Sequence, residues 1–176
     1  VYGDQTVQQA LRHSYNTPVA RIDDEILGSV RMKTFLAGVG LDYKDSYSSV
    51  DGIGINVSPL RSAAAYNALN NLGAYTEPRF VDTITFSDGS VKTVEARTIQ
   101  AMNPSVAYVL NQILRGVPGG DGTASRAAID GYVGYAGKTG SVAFDDSVNP
   151  PSPYGTGSSD LWYCSYTNGG YAISVW

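Results

Sequence analysis

The sequence predicts an α+β domain in which helices cover both faces of an antiparallel sheet. Segments with apolar residues at helical spacing precede two strands joined by the turn Thr167-Asn168-Gly169-Gly170, a strong hairpin signal. The first strand carries Leu161 and Tyr163 on one face and Trp162 and Cys164 on the other, which is typical of a sheet that is packed on both sides. The 176 residues are 43% hydrophobic and 16% charged, which is sufficient for one core. We therefore expect residues 1–176 to belong to a single domain.

Three helices are predicted in the first quarter of the chain. Thr6 is a suitable N-cap for a short amphipathic helix. The second helix is expected to start at Thr17-Pro18, because proline is favoured at the first helical position, and to stop at Gly28. The third runs from Ser29 to Gly38. Residues 14–16 consequently lie in a tight link between the first two helices, and residues 42–57 form a surface loop.

Two longer helices are predicted in the middle of the chain. Ser58-Pro59 and Asn103-Pro104 each place a capping side chain before a proline. The first of these helices is alanine-rich and is expected to be the central one. Strand-like segments 80–86 and 91–94 flank Ser87-Asp88-Gly89-Ser90 and predict a peripheral hairpin. The residues expected on the buried faces of the two helices are Leu60, Ala63, Ala64, Ala68 and Leu72 in one, and Val106, Val109, Leu110, Ile113, Leu114 and Val117 in the other.

The last third is predicted to be mainly β. Thr123 is expected to cap a short helix from Ala124 to Ile129, which leads into a strand that contains Lys138. Residues 142–159 are rich in proline and glycine and are long enough for a lid.

Composition and residue counts exclude several classes of function. A net charge of -4 and a pI near 4.8 argue against a nucleic-acid partner, which would require basic patches. His13 and Cys164 are the single histidine and cysteine, so no His/Cys zinc cluster is available, and we expect neither a metal nor a cofactor. No apolar run is long enough to span a membrane.

A ligand-binding edge is predicted at Lys138-Thr139-Gly140-Ser141, which follows a β-prone, glycine-rich segment. A cation beside small hydroxyl residues suits a carboxylate or a phosphate. A P-loop also ends in Gly-Lys-Thr, but Tyr132 occupies the position of its first glycine, and a loop rich in Pro, Gly and Ser replaces its helix. For Lys-Thr-Gly alone, a lysine that ends an edge strand would be the default interpretation, so a ligand site requires a second motif.

A second motif, Ser14-x-Asn16, lies in the predicted link between the first two helices, and we consider it together with Lys138-Thr139-Gly140. In this order the pair resembles the Ser-Asp-Asn and Lys-Thr-Gly signatures of the penicillin-recognising serine acyl transferases. The surrounding sequence resembles class A penicillin-binding proteins over nearly the whole chain. The segments that carry the resemblance are Thr6-Val-Gln-Gln-Ala-Leu-Arg-His-Ser-Tyr-Asn-Thr-Pro-Val-Ala20, Phe35-Leu-Ala-Gly-Val-Gly-Leu-Asp42, Gly122-Thr-Ala124 and Ala136-Gly-Lys-Thr-Gly-Ser141.

The resemblance implies a β-lactamase-like transpeptidase fold and a role for each motif residue. Ser14 would relay a proton, Asn16 would hold an amide of the peptidoglycan stem peptide, and Lys138 would supply positive potential. The hydroxyls of Thr139 and Ser141 would bind the substrate carboxylate, and the Ser141 N–H would be an oxyanion donor. Ser141 stands where the family usually has threonine, so the hydroxyl is kept and the methyl is lost. For these roles, Ser14 and Lys138 must come within hydrogen-bonding distance, directly or through one water.

The first family signature, Ser-x-x-Lys, does not occur in these residues. The residues three before Lys33, Lys44, Lys92 and Lys138 are Val30, Leu41, Gly89 and Tyr135. The fold is therefore expected to be incomplete, with nucleophile and base on a remaining part of the same protein, and this chain is expected to be inactive alone. The resemblance also implies β-lactam binding and a full-length protein anchored at the extracytoplasmic face of the cell membrane. The alternative is a catalytically inactive penicillin-binding-like sensor or scaffold.

Overall fold

The computed structural model describes residues 3–43, 46–132, 134–143 and 157–176. The helices are α1 (Val7–Arg12), α2 (Asn16–Ile22), α3 (Gly28–Gly38), α4 (Pro59–Asn70) and α5 (Pro104–Leu114), with a π-helical turn at Asp23–Leu27 and 3-10 turns at Ser49–Ile53 and Ser125–Ala127. The strands are β1 (Ala74–Thr76), β2 (Thr83–Thr85), β3 (Val91–Thr93), β4 (Thr98–Gln100), β5 (Tyr135–Ala143), β6 (Ser158–Thr167) and β7 (Ala172–Val175). This composition confirms the predicted α+β class.

The main sheet is antiparallel and has the order β5-β6-β7. β6 and β7 are joined by the turn predicted at residues 167–170, and Thr167 N–H donates to the Tyr171 carbonyl at 2.9 Å. In this register Lys138 lies opposite Cys164, and Cys164 lies opposite Ser174. Since opposite residues share a face, all three side chains belong to one face of the sheet.

Helices α4 and α5 pack on the face that carries Cys164 and Tyr166. The Ser62 hydroxyl of α4 lies 3.0 Å from the Cys164 sulfur. The Tyr166 hydroxyl donates to the Asn111 side-chain oxygen, and the Asn111 amide donates to the Leu69 carbonyl at 2.9 Å. These polar contacts surround the main core cluster, which consists of Leu69, Leu114, Val117, Ala124, Ala136 and Tyr166. Cys164 itself is a buried free thiol.

The opposite face of the sheet is apolar and largely exposed. Leu161, Ile173 and Val175 are 64%, 54% and 57% exposed. They alternate with less exposed side chains along their strands, as the period of two requires. The described residues thus build one of the two helical layers that the sequence predicts.

The starts of α4 and α5 are confirmed, but their buried faces differ in part from the prediction. The Ser58 hydroxyl caps α4 and the Asn103 side chain caps α5. Leu60 and Leu72 are exposed, whereas Ser62 and Leu69 are buried; in α5 Val106 and Val109 are exposed and Ala107 is buried. The small side chains of Ser62 and Ala107 allow close packing, which apolar periodicity alone does not reveal.

The boundaries of the other predicted helices agree with the structure only in part. Helix α2 begins at Asn16, so Thr17-Pro18 lies inside its first turn. Gly28, with φ of +71°, marks the predicted boundary before α3. The short helix after residue 124 is only the 3-10 turn, and Thr123 does not cap it.

The peripheral β2–β3 hairpin is confirmed, whereas the pairing of β1 with β4 was not predicted. Both paired segments have only three residues, which is too short for a clear period of two. The predicted surface loop at 42–57 contains the 3-10 turn Ser49–Ile53. Residues 144–156 of the predicted lid lie outside the described residues.

Candidate active site

Helix α1 and the turn that follows it present Ser14. Thr6 caps the helix as predicted, and Thr6 and Gln9 form a reciprocal capping box. After the helix, Tyr15 N–H donates to the Ala10 carbonyl at 2.8 Å, and Ser14 adopts a left-handed φ of +57°. A non-glycine residue in this conformation costs on the order of 1 kcal/mol or more, and such strain is concentrated at functional sites. The predicted tight helix-to-helix link is confirmed.

Strand β5 brings Lys138 to this turn. The Lys138 ammonium donates to the Ser14 hydroxyl oxygen at 2.7 Å and to the Thr139 carbonyl at 2.9 Å. The contact joins residues that are 124 positions apart in sequence. The prediction that Ser14 and Lys138 come within hydrogen-bonding distance is confirmed.

Lys138 occupies a partly buried position with neutral partners. Burial lowers the pKa of its ammonium below the ordinary value. No carboxylate of the described residues lies within ion-pair distance of it. The lysine therefore places its ammonium group 2.7 Å from the Ser14 oxygen, with no described carboxylate beside it to offset its positive potential.

Thr139, the next residue on β5, contacts a different segment. Its hydroxyl lies 2.7 Å from the hydroxyl of Thr123, and both groups are accessible to solvent. The Thr123 N–H donates to the Arg12 carbonyl at 3.3 Å, two residues before Ser14. Sequence reasoning assigned Thr123 to a helix cap; the signal for a site role was its place in Gly122-Thr-Ala124, one of the segments that carry the family resemblance.

The remaining predicted site residues lie at the edges of this pair of contacts. Asn16 is the first residue of α2 and is exposed, with no side-chain hydrogen bond to the described residues. Gly140 lies opposite Trp162, and a Cβ there would be 3.3 Å from the Trp162 Cβ. Ser141 is exposed on β5. The structure thus joins Ser14, Lys138 and Thr139 and leaves Asn16 and Ser141 open to solvent.

His13 lies beside the site without taking part in the Ser14–Lys138 contact. Its ring stacks on Tyr15 with centroids 5.5 Å apart, and its Nε2 lies 3.7 Å from an Asp121 oxygen. Its side chain is 26% exposed.

Within the described ranges, no group of three His, Cys, Asp or Glu side chains is arranged to hold a metal ion. Nor does any described helix combine the length and apolarity that crossing a bilayer requires.

Comparison with known proteins identifies the family. Residues 1–173 match the family model described as penicillin binding protein transpeptidase domain. The chain therefore belongs to this transpeptidase family.

Among its curated relatives is penicillin-binding protein 1A/1B of Bacillus subtilis, which is 34% identical over 181 residues; the match covers 99% of this chain and 19% of that protein. Penicillin-binding protein 1A of Streptococcus oralis is 33% identical, with coverage of 99% of this chain and 28% of that protein. The chain thus resembles class A members and spans 19% and 28% of the length of these two relatives.

Solved structures agree with the fold. Penicillin-binding protein 3 of Mycobacterium tuberculosis in its apo form superposes with a TM-score of 0.73 at 20% identity, over 96% of this chain and 44% of that chain. PBPA of the same organism has a TM-score of 0.73 at 20% identity, over 98% of this chain and 42% of that chain.

Proposed function

We propose that this chain is the C-terminal part of one peptidoglycan D,D-transpeptidase domain that crosslinks stem peptides through a serine acyl-enzyme. The observation that carries the proposal is the 2.7 Å hydrogen bond from Lys138 to Ser14, which unites two family motifs from distant parts of the chain. A lysine that only ended an edge strand would have no reason to be partly buried against a strained serine turn.

Ser14 is the proton relay of this mechanism. Its hydroxyl both accepts and donates a proton, so it passes one between the general base and the leaving or incoming amine. The Lys138 ammonium is a fixed donor at 2.7 Å that stabilises the transient alkoxide character of Ser14. Asn16, exposed at the start of α2, offers a donor and an acceptor for the amide of the stem peptide.

The edge of β5 binds the substrate's terminal carboxylate. The hydroxyls of Thr139 and Ser141 donate to it, and Lys138 contributes positive potential. Gly140 keeps this edge free of a side chain, which allows close approach of the substrate backbone. The N–H of Ser141 is one oxyanion donor, and loss of such a donor typically costs about 3 kcal/mol of transition-state stabilisation.

The names of the relatives support an acyl-enzyme mechanism and β-lactam binding. PBPA of Mycobacterium tuberculosis has been solved as a penicillin G acyl-enzyme complex, and penicillin-binding protein 3 of that organism has been solved with aztreonam. We propose that the protein that carries this chain is acylated by β-lactams in the same way.

The nucleophile and its base belong to the remainder of the protein. Ser-x-x-Lys is absent from these 176 residues, and the chain spans 19% and 28% of the first two curated relatives. We propose that the remainder supplies this motif and a membrane anchor, and that the domain lies on the extracytoplasmic side of the cell membrane, where its substrate is.

Labelled penicillin tests the proposal. In the longer protein that carries this chain, we expect the label on a serine outside residues 1–176, and none on the isolated 176 residues. Ser14→Ala should slow acylation by about 100-fold or more, because a positioned proton-transfer group contributes 10² to 10⁴. Absence of label from the longer protein would instead favour the inactive sensor or scaffold, and label on Ser14 would exclude its relay role.

A further inference from the structure

The segment Gly122-Thr123-Ala124 has no part in the mechanism described so far, yet it contacts a residue of the carboxylate-binding edge. Thr123 meets Thr139 hydroxyl to hydroxyl at 2.7 Å. Thr139 is the immediate neighbour of Lys138, so the two adjacent β5 residues are each held by a hydroxyl residue from a separate element.

The backbone around Thr123 is fixed in place by close packing. Gly122 is buried where a Cβ would lie 2.2 Å from the Val117 carbonyl oxygen. The Ala124 N–H donates to the same carbonyl at 3.0 Å, and Ala124 itself is buried in the main core. The Thr123 N–H binds the Arg12 carbonyl at the end of α1. The exposed Thr123 hydroxyl is therefore carried by a rigid turn and aimed at β5.

When an anion binds to one hydroxyl of such a pair, the donor and the acceptor of the hydrogen bond between the two hydroxyls become fixed. A hydroxyl has one hydrogen to donate, and a carboxylate only accepts. When Thr139 donates to a carboxylate, the hydrogen between the two threonines must come from Thr123. The resulting chain runs from Thr123 to Thr139 to the carboxylate, and each hydrogen bond polarises the next one.

We propose that Thr123 is a positioning residue that orients the Thr139 hydroxyl as a donor and thereby selects substrates and inhibitors with a free carboxylate. This inference rests on the proposed function, because it takes the carboxylate at Thr139 from it. Thr123 acts through Thr139 and does not contact the substrate.

The test uses the longer protein that carries this chain and measures the second-order rate of acylation by labelled penicillin. Thr123→Val removes the hydroxyl and keeps the shape, while Thr123→Ser keeps the hydroxyl. Thr98→Val is the matched control, because Thr76 and Thr98 form a second exposed hydroxyl pair, at 2.9 Å, in the β1–β4 ladder. Each variant is also made in a Thr139→Val background, and its thermal unfolding is recorded.

We expect Thr123→Val to lower the acylation rate by about 3- to 10-fold, the range set by the loss of one neutral hydrogen bond. Thr123→Ser should restore the rate, Thr98→Val should leave it unchanged, and Thr123→Val should have no further effect in the Thr139→Val background. With a peptide thioester substrate, the loss should fall on the form with a terminal carboxylate and spare the terminal amide.

The inference is overturned by an unchanged rate in Thr123→Val, by an equal loss with carboxylate and amide, or by a loss that persists without the Thr139 hydroxyl. A rate loss that only follows a lower melting temperature also overturns it. If the wild-type protein is not labelled at all, the proposed function itself fails, and this inference fails with it.

Discussion

Lys138 is a partly buried cation whose hydrogen bonds go to a hydroxyl and a carbonyl. Desolvation of the charged form lowers its pKa, and no carboxylate of the described residues offsets this cost. The lysine is thus unfavourable for stability at neutral pH. This unfavourable burial supports the role proposed for Lys138 beside Ser14.

Lys138→Met should separate the proposed role of Lys138 in acylation from its effect on stability. Since the folded pKa is lowered, the unfolded chain binds more protons between the folded pKa and the ordinary value of 10.5. Wild-type stability therefore rises with pH in that window relative to the variant. At neutral pH the variant should be at least as stable as the wild type, while penicillin acylation should fall by about 100-fold or more. Unfolding in urea at pH 7 and pH 10, beside acylation rates, measures both; parallel losses of stability and acylation would indicate a structural role.

Asp23 is the most deeply buried charged residue of the described chain, with 2% exposure. One of its oxygens accepts a hydrogen bond from the Tyr47 hydroxyl at 2.7 Å, and the other has no partner in the described residues. Burial and this carboxylate raise the pKa of Tyr47, so its hydroxyl remains a donor. The pair attaches the segment around the 3-10 turn Ser49–Ile53 to the π-helical turn.

Tyr47→Phe should destabilise the protein by about 1–3 kcal/mol, because it leaves a buried carboxylate without its hydrogen bond. Tyr108→Phe is the control, since Tyr108 is 58% exposed on α5. Urea unfolding of both variants measures the difference. Equal stabilities would show that the Asp23–Tyr47 bond contributes nothing net.

At the scale of elements, the glycine-rich turn after α5 both ends that helix and links α1 to β5. Gly120 has a φ of +51°, and at Gly122 the carbonyl oxygens of Gly116 and Val117 come so close that a Cβ would not fit. These close approaches bring the turn back toward α1, where the Arg12 guanidinium pairs with Asp121. The turn thereby connects the Ser14 helix to strand β5.

Gly122→Ala should cost about 3 kcal/mol or more, because its Cβ would lie 2.2 and 2.4 Å from two backbone oxygens that cannot move without opening the turn. Gly54→Ala is the matched control, since Gly54 is exposed and a Cβ there meets nothing within 4 Å. Thermal unfolding compares the two variants. A tolerated Gly122→Ala would mean that the turn is adaptable, which would also weaken the argument for a rigid Thr123.

At the scale of the whole molecule, the sheet has one packed face and one exposed apolar face. Strand β7 lies at an edge of this three-stranded sheet and carries Ile173 and Val175 on the exposed face. Apolar faces and open strand edges of this kind promote association between chains. We propose that in the longer protein the remainder of the domain covers this face.

The isolated 176 residues should therefore associate in a concentration-dependent way. Ile173→Thr with Val175→Thr should reduce this association in the isolated chain, and the same pair should destabilise the longer protein, in which the face is covered. Val30→Thr is the control, because Val30 is 78% exposed on α3 and does not belong to the sheet. Sedimentation velocity and thermal unfolding measure the two effects; a monomeric isolated chain would contradict the expectation.

The sequence by itself determined the features that depend on neighbours along the chain. The capping residues Thr6, Ser58 and Asn103, the boundary at Gly28 and the turn at 167–170 are local signals, and each appears as predicted. The order and context of Ser14-x-Asn16 and Lys138-Thr139-Gly140 also indicated the family, because the order of two motifs and the residues around them can be read directly from the sequence.

Only the tertiary structure decided the features that depend on distant partners. Thr123 was predicted to be a cap because the residue types that cap helices also form hydroxyl contacts in binding sites. Its contact with Thr139 exists only because β5 lies beside it in the folded chain. The buried faces of α4 and α5 were set by tertiary packing, in which Ser62 contacts Cys164 of the sheet and Ala107 is fully buried. The lowered pKa of Lys138 likewise arises from the junction of α1 with β5, since burial and long-range hydrogen bonds exist only after the chain has folded.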